Sequence, residues 1–252
     1  MEARMSQMRM IVLVMGWLLG SVATASAERN WEFSVGGFGG WAFHSDTTFQ
    51  VNRLINIPTG MAEPVNGKGT NLRFEDSGTF GAKLSAWHLP RKYGWQPQIG
   101  FEIDWTRFTA DVPDGQILPA FGTFLTSGTP LGFIGPITRT EFAVDNMTFN
   151  LLFRYPIWAT PDMPQGRWYP YVGLGGGAQR ARLSIPGYEE TSYSPSFQAL
   201  GGIKFFAIKY LAFFGEAKWT QGWHTFKYET DSYWERYSIA TIHLVGGVAL
   251  HF

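Results

Sequence analysis

From Trp31 onward the apolar residues fall on every second position. Trp31, Phe33, Val35, Trp41 and Phe43 share one parity, while Glu32, Ser34 and His44 share the other. This is the period of a strand with two unlike faces. The same alternation returns in seven further segments. In 78–89 it sets Phe80, Ala82, Leu84 and Ala86 against Thr79, Lys83 and Ser85. In 98–108 it sets Ile99, Phe101, Ile103 and Trp105 against Gln98, Glu102, Asp104 and Thr106. It recurs in 142–155, 196–206, 211–221 and 239–252. Segment 168–180 alternates as well but carries apolar residues on both faces, so which face points inward stays open. Strands of this length fit a tilted membrane crossing of about 9–11 residues. The connections are long at 45–76 and 109–140, moderate at 156–167, 183–195 and 222–237, and short at 90–97 and Ala207–Lys209. The expectation is an all-β, eight-stranded, antiparallel up-and-down transmembrane barrel over residues 28–252, with both termini on the short-turn side.

The first residues read differently. Arg4 and Arg9 precede an apolar run from Ile11 to Gly20, and small residues end in Ala25-Ser26-Ala27. That order predicts a secretory signal peptide, 1–27, cleaved after Ala27. The run is too short for a spanning helix, which needs about 20 apolar residues.

Composition narrows the class. The 252 residues include 20 basic and 20 acidic side chains, no cysteine, 16% charged and 17% aromatic residues. Balanced, sparse charge excludes a nucleic-acid partner, which needs a basic face. The absence of cysteine excludes a disulfide scaffold and thiolate metal sites. The mean hydropathy of −0.09 is that of a soluble chain. Apolar residues spread over alternate positions produce that value without any long greasy window.

A soluble barrel places its apolar faces inward. Against this, Lys83, Glu102, Asp104, Arg154, Lys204, Glu216 and Lys218 occupy the faces opposite the large apolar ones, near strand centres. These seven are expected to form an interior charge network, with Lys83 and Glu102 paired, because buried charges need partners. The aromatic residues Trp31, Trp41, Trp87, Trp105, Tyr155, Trp168 and Trp219 lie toward strand ends, where membrane-interface girdles form.

The segments 169–175 (YPYVGLG), 201–205 (GGIKF) and 214–220 (FGEAKWT), with the terminal Phe252, resemble the OmpA-like outer-membrane β-barrel family. The resemblance implies an eight-stranded barrel in the bacterial outer membrane, with Phe252 as the signal read by the barrel-assembly machinery. Outer-membrane lipids and lipopolysaccharide are the surroundings it implies.

Other signals lead nowhere firm. Residues 37–42 and 173–178 match G-x-G-x-x-A, but strand alternation runs through both, where a dinucleotide site needs a strand end and a helix start. Asn146 lies in a glycosylation sequon in mid-strand. His243 and His251 point inward without a converging set of ligands, so neither metal nor cofactor is expected. His44, Asp76 and Ser77 fall at the outer rim and are faintly similar to a lipid A palmitoyltransferase site. No amphipathic helix precedes the barrel, however, and an enzyme is not expected.

The expected role is structural or surface-interacting, above a polar, plugged interior. The apolar residues Leu54, Ile55, Ile57, Ile117, Leu118, Phe121, Phe124 and Leu125 of the long loops suit a host surface or a small hydrophobic ligand. A narrow porin-like channel, or a sideways path for hydrophobic solutes, is the second reading.

Overall fold

The computed structural model describes residues 30–56, 62–91, 93–136, 139–160, 163–185, 187–228 and 233–252; the expected signal peptide and Ile57 lie outside them. The chain is all-β. Its strands are β1 (Trp31–His44), β2 (Thr47–Asn56), β3 (Ala62–Leu72), β4 (Ser77–His88), β5 (Gln98–Thr109) and β6 (Ile117–Phe124), followed by β7 (Pro130–Pro136), β8 (Glu141–Arg154), β9 (Trp168–Ile185), β10 (Tyr188–Ile208), β11 (Leu211–Tyr228) and β12 (Tyr233–His251). All pair antiparallel in one twelve-stranded sheet. The order β1-β4-β5-β8-β9-β10-β11-β12 closes on itself through β1–β12, from Ser34↔His251 to His44↔Thr241. Closure leaves no free edge within the membrane, where an unpaired backbone group costs several kcal/mol.

The other four strands were not expected. Within the expected loops 45–76 and 109–140, the described residues include the strand pairs β2–β3 and β6–β7, which join through β3–β6. The hairpin β2–β3 attaches to the upper end of β12, Gln50↔Arg236 and Phe49↔Tyr237. The expected connections 183–195 and 222–237 are likewise mostly strand. β9 and β10 pair up to Ile185↔Tyr188, and Gly187, at φ 82°, turns one into the other. β11 and β12 pair up to Tyr228↔Tyr233.

The reason these segments did not read as strand is a reversal of polarity along the barrel. In β8 the outward face carries Met147, Phe149, Leu151 and Phe153, and the inward face carries buried Asn146, Thr148 and Asn150. Beyond Asn146 the faces exchange character: Phe142 and Val144 are buried inside, while Glu141 and Asp145 lie outside. β12 does the same, with Ile242 and Leu244 outside and Thr241 and His243 inside, then Tyr237 and Ile239 inside and the exposed Arg236 outside. The lower part is built for lipid outside and polar contacts inside; the upper part is built like a soluble barrel. The level of exchange marks where the wall leaves lipid for water.

Above that level the lumen is filled by one apolar cluster, including Phe49, Leu72, Phe74, Phe108, Phe142, Phe226, Tyr237 and Ile239. Phe49, Leu72 and Phe74 come from the hairpin β2–β3 and the turn after it. The sheet β2-β3-β6-β7 is thereby tied to the barrel by burial as well as by hydrogen bonds.

Candidate functional site

In β9 the parity left open is settled. Trp168, Val172 and Leu174 face outward, and Tyr169 and Tyr171 are buried inside. The inward faces of β1, β4, β5, β8, β10 and β11 carry Glu32, Lys83, Glu102, Asp104, Arg154, Lys204, Glu216 and Lys218, all buried. The barrel thus encloses four cations and four carboxylates, a neutral set.

They form two clusters. In the central one, Lys83 Nζ donates to Glu216 Oε2 at 2.7 Å and lies 3.5 Å from Glu102 Oε2. Glu216 also accepts from the Tyr171 hydroxyl at 2.6 Å, and its other oxygen lies 3.4 Å from Lys218 Nζ. Lys218 donates to Asp104 Oδ2 at 2.5 Å, and Asp104 Oδ1 accepts from Thr106 at 2.7 Å. Lys83 reaches from β4 past β1 and β12 to a carboxylate on β11.

The second cluster lies toward the short-turn end. Arg154 binds Glu32 with both terminal nitrogens, at 2.6 and 3.2 Å, and donates from Nε to Gln98 at 2.8 Å. Its guanidinium stacks between Trp87 and Tyr169, 4.4 and 4.5 Å from the ring centres. Glu32 also pairs with His251 Nδ1. Lys204 stands apart from the carboxylates: its Nζ lies 3.4 Å from His251 Nε2 and over the rings of Tyr169 and Phe214. Lys204 therefore belongs with the lower cluster, not beside Glu216 and Lys218 as expected.

Sequence reasoning named seven of the eight charges and missed Glu32, as well as Tyr171, His251 and Gln98 as their partners. Glu32 has the inward parity of β1, the one signal that marks it.

Trp87 requires a correction. It is not in the interface girdle; it is buried inside the barrel, 1% exposed. Its odd position in β4 puts it on the Lys83 face. Gly100 on β5 makes room for it, since a Cβ there would lie 2.4 Å from the indole. The other six expected girdle residues, Trp31, Trp41, Trp105, Tyr155, Trp168 and Trp219, are open on the outer surface, as are Trp95, Trp158, Tyr193 and Trp223. The terminal Phe252 is also open, on the outer face, with its backbone bonded to Phe33.

His44, Asp76 and Ser77 do not assemble into a proton relay. Asp76 accepts from the backbone N–H of His44 at 3.1 Å, and Ser77 donates to the Thr109 carbonyl at 2.7 Å. The His44 ring is turned inward beside Phe74 and Phe108. Nearby, at the rim, Asp111 accepts from the Phe142 N–H at 3.0 Å; burial raises its carboxyl above the ordinary value, against that bond. Among the described residues no three histidines or carboxylates gather as metal ligands. Of the expected ligand-contacting loop residues, Ile117, Phe121 and Leu125 are exposed.

A closed antiparallel barrel with a lipid-facing apolar belt, aromatic rings at both rims and a polar lumen defines a small transmembrane β-barrel of the outer-membrane kind. No family model matches the chain, and no curated protein matches it in sequence. Among solved structures the chain is similar to several. Neisserial surface protein A is 14% identical, covering 87% of this chain and 97% of its own, at a TM-score of 0.46. The outer membrane protein OprG from Pseudomonas aeruginosa is 11% identical, covering 88% and 96%, also at 0.46. The outer membrane protease OmpT from Escherichia coli is 7% identical, covering 88% and 97%, at 0.41.

Proposed function

We propose that this protein is a non-conducting barrel of the bacterial outer membrane whose working part is the extracellular sheet β2-β3-β6-β7. The observation that carries this reading is the filling of the lumen at two levels. Seven buried charges are locked in ion pairs in the membrane section, with Lys204 against His251 beside them, and an apolar cluster closes the section above. Eight-stranded barrels have interiors just wide enough for side chains. Function then falls to what the scaffold presents outside, as is usual for connections on a rigid frame. Here the scaffold presents an ordered sheet with Ile117, Phe121 and Leu125 on view. The sheet serves surface interaction.

The test replaces residues 113–139, which include β6–β7, by a short turn in cells that make the protein. Adhesion to surfaces should fall, while uptake of hydrophobic and small polar solutes stays constant. Loss of solute uptake with unchanged adhesion would favour a transport role and contradict the proposal.

A further inference from the structure

Directly above the apolar belt, strands β5, β8 and β9 place charged residues on their outer faces in one register row. Arg107 pairs with Asp145, and Asp145 with Arg180. One step further out lies Arg182, opposite Ala143. The residues just below this row are Trp105 and Met147, both open to lipid. The arginines thus begin where the belt stops.

Three cations here face one carboxylate. Asp145 is 3.7 Å from Arg107. Arg180 and Arg182 have no ion-pair partner among the described residues, and the Arg180 Nε is buried without a hydrogen-bond acceptor. The nearest further carboxylates on this face, Glu141 and Glu189, flank Ser184, farther from the belt. On the next strand the exposed Tyr193 pairs with Arg180 in register.

We propose that Arg107, Arg180 and Arg182 form a binding site for the phosphoryl groups of an outer-leaflet lipid. The guanidinium fork matches a phosphate better than any other side chain does. The height selects a lipid over a soluble anion: a phosphate anchored by acyl chains is held at the edge of the belt, where these side chains stand. Tyr193 offers a ring beside the headgroup. The inference rests on the proposed outer-membrane orientation, with β2-β3-β6-β7 outside.

The test uses the folded protein in micelles, with bound lipid read by native mass spectrometry. The probes are bisphosphorylated lipid A and the same lipid without phosphates. The wild type should prefer the phosphorylated form by about tenfold, the effect of one lost charge-assisted contact. R180Q/R182Q should abolish that preference, and R180K/R182K should keep part of it. R73Q removes an arginine paired with Asp46 away from the row, and should change nothing. Heat-dependent gel mobility shows that each variant is folded; should R180Q/R182Q not fold, R182Q alone is used. Equal retention of both lipids, or a double variant that behaves like the wild type, would overturn the site. Stabilisation by inorganic phosphate equal to that by the lipid would overturn the lipid assignment. A wild type that fails to insert into bilayers at all would overturn the outer-membrane reading beneath it.

Discussion

Arg154 and Glu32 meet end to end inside the barrel although 122 positions separate them in the chain. The contact joins β8 to β1, three places apart in the sheet order, across the lumen, so it forms only when the sheet β1-β4-β5-β8 has curved into a wall. Breaking a buried pair from one side leaves an uncompensated charge and costs about 3–5 kcal/mol. E32Q should therefore lower the urea midpoint of unfolding in micelles strongly. E32L/R154M, which removes both charges, should cost less than E32Q alone.

Trp87 over Gly100 gives a steric test. G100A places a methyl where the indole lies and should destabilise by about 1–3 kcal/mol, the cost of overpacking. In the W87L background the same change should cost clearly less. A double-mutant cycle in the same unfolding assay measures the difference.

The position of the belt predicts where a charge is tolerated on the outer wall. Leu174 is 70% exposed in the middle of the lipid-facing part of β9. L174R should cost about 2–4 kcal/mol, and T191R, facing outward above the belt on β10, about 0–1. Refolding yield into vesicles, with unfolding midpoints, distinguishes them.

The apolar cluster above the membrane should be separable from the barrel below. The Phe142 ring meets the rings of Phe74, Phe226 and Tyr237 at 5.9, 5.7 and 5.2 Å. F142A should cost about 3–5 kcal/mol locally. Limited proteolysis should then cut within β2-β3-β6-β7 sooner, while the membrane section keeps its folded gel mobility.

These relationships were unequally legible in the sequence. The eight barrel strands stood out because lipid on one side and a polar lumen on the other give strict alternation. Lys83 and Glu102 could be paired in advance, since they share a parity at similar height on adjacent strands. Glu32 with Arg154 could not, because their strands are not neighbours and the two side chains meet across the lumen. The upper parts of β9 to β12 were hidden by the reversal of polarity: Arg180, Arg182 and Arg236 occupy the parity that is apolar lower down. In β6 and β7, Pro119, Pro130 and Pro136 weaken the strand signal, as proline does away from sheet edges. Trp87 was misplaced because its nearness to a strand end outweighed its parity, and parity is what decides the face.

Single-channel recording in planar bilayers tests the central claim most directly. The wild-type barrel, inserted and folded, should show no conductance steps at moderate voltage, since the paired charges and the apolar cluster fill its lumen. Reproducible, voltage-independent steps from the pure wild-type protein would contradict the plugged interior on which the account rests.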